Sequence, residues 1–218
     1  SWPMTPPDRD SAPLFHLPGM AGVSSDRGRI IDAAANMVTA DGNLELSWDK
    51  VAAASGVPLE TIHRLFPSAD ALLAATLTLT DARNATAYYS DANSLGWRGM
   101  DSYVRLMQAV VSQPGAIKIY SRLRWEAVDR KHAAHEWLNQ HREISYETLM
   151  RAVETGVERG EMLPEIDARQ VAETMLGISE GVQLQWLASK GKVTAANAMA
   201  DYVALLRHRY ATEGFKGE

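Results

Sequence analysis

The chain has 218 residues, 46% of them hydrophobic, and a formal net charge of −5. That length and apolar content support one large domain or a small domain joined to a larger one. The mild acidity supplies no general attraction to nucleic acid or to an anionic membrane. The absence of cysteine excludes disulfides, thiol nucleophiles and thiolate-bound zinc, and it fits a reducing compartment such as the cytoplasm. No stretch approaches the roughly 18 consecutive apolar residues of a membrane span.

The N-terminal segment SWPMTPPDRDSAPLFHLPGMAGVSS is proline-rich and lacks the charged-then-apolar order of a signal peptide. It reads as a flexible lead over residues 1–26, with Met4 as a natural start. From there the period is helical nearly throughout, with no convincing alternating strand. Arg29–Ala40 places Ile30, Ala34, Met37 and Val38 on one face, and Asp41-Gly42 ends that helix. Ser47 is an N-cap for a short helix to about Ala54, with Val51 and Ala54 inward. Gly56 makes a tight turn, Pro58 suits the first turn of the next helix, and Pro67 stops that helix after Phe66.

Ser68 caps a long alanine- and threonine-rich helix to about Tyr89, with Asp70 favourable near its positive end. SDANSLGWRG reads as a loop by composition. Met100–Ser112 is amphipathic through Tyr103, Val104, Met107 and Val111. Pro114-Gly115 breaks it, and helices follow over about Ala116–Asp129 and Ala133–Arg159. Gly160–Pro164 is a turn. Asp167 and Gln170 form a candidate capping box for a helix to about Ser189. Thr194 caps a last helix to about Tyr210, which has Met199, Tyr202, Val203, Leu206 and Tyr210 at helical spacing. The expectation is an all-α fold of about nine helices, three short ones leading a larger helical region.

Three short helices with a glycine turn between the second and third make a helix-turn-helix. Val57, Ile62 and Phe66 face inward in this reading. Leu59, Glu60, Thr61, His63 and Arg64 face outward, where side chains can reach base edges and phosphates. GRIIDAAANMVTADG, followed by LSWDKVAAASGVPLETIHRLFPSADALLAA, resembles the N-terminal domain of the tetracycline-repressor (TetR) family over roughly Arg27–Ala75. The matching order is Ile30-Ile31, Ala34, Gly42, Val51-Ala52, Gly56-Val57, Thr61-Ile62, Phe66 and Leu72-Leu73. GISEGVQLQWL (Gly177–Leu187) resembles the eighth helix of many actinobacterial members.

The resemblance implies a homodimeric, ligand-responsive regulator without cofactor or metal. Residues 27–75 would bind a palindromic double-stranded operator, and residues 76–218 would bind a small inducer and dimerise. The expected role is repression relieved by a small apolar or amphipathic molecule, with no enzymatic activity and no membrane partner. The DNA-contacting candidates are Arg27 and Arg29 as a short arm, Ser47, Lys50, Pro58, Leu59, Thr61, His63 and Arg64. Ligand candidates are Tyr103, Met107, Tyr120, Arg124, Trp125, Trp137, Met150, Met175 and Gln183, with Glu180 a further polar one. Leu184, Leu187, Tyr202, Leu205 and Leu206 are the candidate dimer interface, since two apolar stripes exceed what one core face needs.

The chain departs from the family where phosphate contacts are expected. His63 stands where tyrosine is usual, Ala69 where lysine is usual, and Asp49 where relatives are often basic or neutral. Over 27–75 there are four basic residues, Arg27, Arg29, Lys50 and Arg64. They stand against six acidic ones, Asp32, Asp41, Glu45, Asp49, Glu60 and Asp70. Phosphate neutralisation supplies most non-specific affinity, so a second reading stays open: a TetR-fold small-molecule binder with weakened or lost DNA binding.

Two further signals read as structural. GISEG matches the serine-hydrolase pattern G-x-S-x-G, which needs a strand–turn–helix elbow. Here it lies in a helical pattern, with its small residues expected at a tight helix contact. His132, His135 and His141 cluster near one helix start, but HEWLNQH is not a zinc-protease motif, and solvated or ligand-lining histidines are the expectation.

Overall fold

A computed structural model describes residues 25–41, 46–88, 90, 93–110, 113–193 and 195–217. Among these there are nine α-helices: α1 Asp26–Asp41, α2 Trp48–Ser55, α3 Leu59–Leu65, α4 Ala69–Tyr88, α5 Gly96–Val110, α6 Pro114–Glu126, α7 His135–Glu158, α8 Ala168–Ala188 and α9 Ala195–Tyr210. A short 3-10 turn follows at Glu213–Phe215. The β structure among the described residues is an isolated bridge between Met162 and Ala211. The all-α expectation therefore stands. The predicted lead up to residue 24, the Gly42 stop, Tyr89, Val111, Ser112 and the Thr194 cap lie outside the described residues.

The chain divides into two compact units. The first holds the N-terminal part through Arg83 together with 113–139, and the second holds 84–112 and 140–218. The core of the first unit has two clusters. In one, Ile30, Ala34, Val51, Val57, Ile62, Phe66 and Leu72 bind α1, α2, α3 and the start of α4 together. In the other, Val38, Leu73, Leu77, Ile119, Leu123 and Leu138 pack α6 and the first turn of α7 against α1 and α4. The second unit has its own core, in which Trp97, Met100, Tyr103, Leu149, Val153, Val171, Met175, Met199, Val203 and Leu206 join α5, α7, α8 and α9.

Local chemistry sets the helix ends. Ser25 starts α1: its hydroxyl accepts the Gly28 N–H at 3.0 Å, so the helix begins three residues before the predicted Arg29. The Ser68 hydroxyl accepts the Ala71 N–H at 3.1 Å. The Asp167 carboxylate accepts the Gln170 N–H at 3.0 Å. The Gln170 side chain does not complete the predicted capping box; it points forward to the Thr174 hydroxyl. Pro114 begins α6 instead of merely ending its predecessor, since the missing N–H costs nothing in a first turn.

The predicted loop over residues 90–99 is too long, because α5 starts at Gly96. Gly96 has φ +61, a left-handed conformation that favours glycine, and an added Cβ there would crowd the end of the Glu161 side chain. Trp97 is buried, and its indole N–H donates to the Glu161 carbonyl at 3.0 Å. The turn-like letters of this stretch serve a close packing contact. Ala54 is exposed, contrary to expectation, and Ser55 takes the buried place. Positions three and four after Val51 both lie near its face, and here the fourth, Ser55, is the one covered.

Candidate nucleic-acid interface and ligand site

The turn between α2 and α3 is built on Gly56, which closes α2 at φ +68 and donates its N–H to the Ala52 carbonyl. An added Cβ there would meet no atom within 4 Å. Glycine is therefore required by backbone sign and not by crowding. Val57 follows at 2% exposure, and Ile62 and Phe66 are equally buried. This fixes the opposite side of α3 outward: Pro58, Leu59, Glu60, His63 and Arg64 are exposed and Thr61 is half-buried. The split between inner and outer faces is the one the spacing predicts. Pro58 itself sits just before the helix, in extended conformation, as its cap.

At the start of α2 the Ser47 hydroxyl accepts the Lys50 N–H at 3.4 Å, and the Lys50 side chain is exposed. Trp48, half-buried one residue before Asp49, meets the His63 ring at 4.8 Å with a 60° tilt. This contact ties α2 to α3 on the outer side. The indole was not among the sequence candidates. Its place at the first position of a helix beside an unusual histidine was the available signal.

The two arm candidates fall inside α1, because Ser25 caps the helix before them. Arg27 lies over the Phe66 ring, 4.7 Å from its centroid. Burial pushes its guanidinium below the ordinary arginine value. Arg29 pairs with Asp26. Both arginines thus lie within a helix and not in an extended arm, Arg27 against Phe66 and Arg29 in an exposed pair with Asp26. Lys50 and Arg64 are the cations on this surface that have no ion-pair partner among the described residues, and Asp49 and Glu60 are exposed beside them in sequence.

The predicted ligand residues separate between the two units. Tyr120, Arg124, Trp125 and Trp137 belong to the first and Tyr103, Met107, Met150, Met175 and Gln183 to the second. In the first unit, the Tyr120 and Trp137 rings lie 5.7 Å apart. The Arg124 guanidinium covers Tyr120 at 3.8 Å, and the Trp137 indole donates to the Thr78 hydroxyl. Trp125 is 82% exposed and lines no interior, a correction to its assignment: it projects from the side of α6 opposite Leu123.

In the second unit, Met175 is fully buried and Tyr103 nearly so, while Met107 and Met150 are half-buried. A pair of buried polar side chains from α8, Ser179 and Gln183, sits inside this apolar setting. The Ser179 hydroxyl donates to the Met107 sulfur at 2.8 Å, and the Gln183 amide donates to Ser179 at 3.1 Å. Ser179 lies within α8, its hydroxyl facing a thioether, and has no strand–turn–helix elbow around it. That geometry gives GISEG no nucleophile.

Gly177 and Gly181 are exposed, and neither has an atom within 4 Å of a built Cβ. The predicted tight contact is therefore absent within the described chain. With Leu184 at 58% exposure and exposed Ala188 they form one outward stripe of α8. On α9, Leu205 is 68% exposed, but Leu206 is turned into the core and Tyr202 packs half-buried against it. Leu206 is thus corrected from interface to interior, because it shares the Met199–Val203 face. Leu187 is half-buried.

His132 has a role that the sequence did not single out. Its Nε2 lies 3.0 Å from Asp70 and 3.3 Å from Glu126. These three side chains have the spacing of a metal-ligand set. However, the Nδ1 of His132 accepts the Ala134 N–H at 3.1 Å, which places the ring proton on Nε2. A histidine bound to metal through Nε2 needs its other nitrogen to donate, so the ring faces the carboxylates as a donor and not as a ligand.

These features define an all-α protein with an N-terminal helix-turn-helix in its first unit and a second helical unit. No family model matches the sequence, and no curated protein matches it. Solved structures do. A protein from Rhodococcus sp. described as a TetR-family transcriptional regulator aligns with TM-score 0.64 at 22% identity, covering 84% of this chain and 99% of its own. GusR of Salmonella enterica aligns with TM-score 0.61 at 20% identity, covering 85% and 98%. A protein from Saccharomonospora viridis, described as a transcriptional regulator and solved in complex with choline, aligns with TM-score 0.61 at 18% identity, covering 86% and 98%. The fold is that of the TetR-family regulators. The neighbours come from enteric bacteria as well as from actinobacteria, so they lend the actinobacterial resemblance of the eighth helix no support. Among the described residues no helix is long and apolar enough to cross a membrane.

Proposed function

We propose that the protein is a ligand-responsive DNA-binding regulator of the TetR type, a cytoplasmic homodimer with no enzymatic activity. In this reading it represses from a palindromic operator and is released by a small apolar or amphipathic inducer. The observation that carries it is the α2–Gly56–α3 turn, with Val57, Ile62 and Phe66 buried behind an exposed face of Leu59, Glu60, His63 and Arg64. Residues 27–75 are the reading domain and 76–218 the sensing and dimerisation domain. Ser47, Lys50, Pro58, Leu59, Thr61, His63 and Arg64 face DNA, with Lys50 and Arg64 supplying charge.

The homodimer reading is supported by the outward stripe Gly177, Gly181, Leu184 and Ala188 on α8 and by Leu205 on α9. Small residues let a partner helix approach closely, and an exposed leucine pair at that size implies cover. Two reading heads must then sit about 34–36 Å apart to engage successive major grooves. An inducer acts only by binding the misfit arrangement better than the fitting one. The inducer reading draws on Tyr103, Met107, Met150 and the buried Ser179–Gln183 pair as an apolar site with convergent polar groups. The choline complex of the Saccharomonospora viridis neighbour is in keeping with a small amphipathic ligand.

The test is selection of binding sites from random double-stranded DNA at low salt. Enrichment of a palindrome bound by a dimer supports the regulator. A second reading, a small-molecule binder of the same fold without DNA recognition, is favoured by the commitment of Arg27 and Arg29 to Phe66 and Asp26. It is the conclusion if no sequence is enriched.

A further inference from the structure

Asp70 occupies the second residue of α4, four positions after Phe66 ends the reading helix region. Both of its oxygens are engaged sideways. Oδ1 accepts from the Arg122 guanidinium at 2.8 Å and Oδ2 lies 3.0 Å from the Nε2 of His132. Arg122 also reaches Glu126, one turn on, at 2.8 Å. Glu126 closes the ring to His132 at 3.3 Å. The side chains of Arg122, Asp70 and His132 are 26%, 26% and 18% exposed, low enough that solvent screens them less than a surface pair. All four residues lie within the first unit. The hydrogen bond to Asp70, ahead of the charge attraction, raises the Arg122 guanidinium above its ordinary value.

We propose that Arg122 is a positioning residue for DNA reading. With His132 and Glu126 it latches the first turn of α4 to α6 and to the corner before α7, and so fixes the angle at which α3 is presented. A second consequence follows from charge. Asp70 lies four residues past the end of α3, and a bare carboxylate there would repel the phosphate backbone of DNA read by that helix. Arg122 neutralises Asp70 without itself touching DNA. The inference rests on the DNA-reading role proposed above.

The test compares Arg122→Met, Asp70→Asn and the double variant in the full-length protein. Two readouts are used: amide hydrogen exchange across residues 59–72, and affinity for the DNA recovered by selection, measured over a range of salt and corrected for active fraction. Arg122→Met should speed exchange in the first turn of α4 and in α3. It should also weaken DNA binding roughly two- to thirtyfold, with the salt slope falling by clearly less than one per half-site, because no phosphate contact is lost and only the partly screened Asp70 charge is bared. Asp70→Asn in the Arg122→Met background should restore part of the affinity by removing the bare charge. A residue serving stability alone would lower the melting temperature and leave corrected affinity intact, and that result overturns the proposal. A fall of the salt slope by about one per half-site overturns it too, since it makes Arg122 a direct phosphate contact. If the unaltered protein selects no DNA, the regulator reading fails while the latch is still decided by exchange. Unchanged protection of residues 59–72 in Arg122→Met refutes it.

Discussion

Gly56→Ala isolates the backbone requirement of the turn that aims α3. Gly56 holds φ +68, and an added methyl group would meet no atom within 4 Å. Steric crowding by neighbours therefore contributes nothing, and the cost is that of forcing an L-residue into the left-handed region. That cost is about 1–2 kcal/mol per residue, reduced by the smaller conformational freedom of alanine in the unfolded chain, worth about 0.4–1 kcal/mol. The expected net destabilisation is about 1 kcal/mol. Asparagine tolerates the left-handed cap better than alanine, so Gly56→Asn should lie between glycine and alanine. The assay is urea unfolding followed by circular dichroism together with tryptophan fluorescence, in which Trp48, Trp125 and Trp137 report on the first unit. Alanine as stable as glycine, or asparagine less stable than alanine, would refute the claim that backbone sign alone demands glycine here.

Arg64→Ala should weaken DNA binding and lower the salt slope of a dimer by about two, one contact per half-site, measured by fluorescence anisotropy at several salt concentrations. Trp97→Phe should cost about 1–2 kcal/mol by thermal or urea unfolding. The indole loses its bond to the Glu161 carbonyl, which keeps the Thr212 N–H at 3.1 Å. Gly181→Leu should shift the protein toward monomer in sedimentation velocity while helix content holds or rises. Leucine is the better helix former by roughly 0.8 kcal/mol, so loss of the dimer would come from the occupied face and not from helix breakage.

Much of the reading head was legible because its constraints are local. A serine cap, a glycine stop and a proline at a helix start each act within four residues, and the inner triad Val57, Ile62 and Phe66 follows from helical spacing alone. What escaped was set by distant partners. Gly96–Gly99 carry turn letters, yet a positive φ at Gly96 and, at Gly99, the close approach of the Ser94 backbone and of Ala152, 53 residues away in the chain, are what require glycine. Arg27 and Arg29 looked like a basic arm until Phe66 and Asp26 claimed them. The ring of Asp70, Arg122, Glu126 and His132 spans three elements, and no spacing rule joins residues 52 positions apart. Trp125 illustrates the converse: an aromatic at a helix position carries no sign of which way it points until neighbours such as Leu123 fix the face.

The acidic balance of residues 27–75 bears differently on DNA binding once the paired charges are set aside. Asp32 and Asp70 are answered by Arg83 and Arg122, both from outside the segment that resembles a reading domain, and Arg29 within it is answered by Asp26. The local field at α3 is then governed by Asp49 and Glu60 against Lys50 and Arg64, close to neutral instead of acidic. A neutral head gains little from counterion release. In the proposed regulator, affinity would then rest on shape, on base-edge contacts by residues such as Thr61 and His63, and on helix placement. That makes discrimination steep relative to total affinity, and it makes the angle of α3 the quantity most worth controlling. A latch at the first turn of α4 acts on that quantity, whereas adding a cation to the surface would raise binding to every sequence alike.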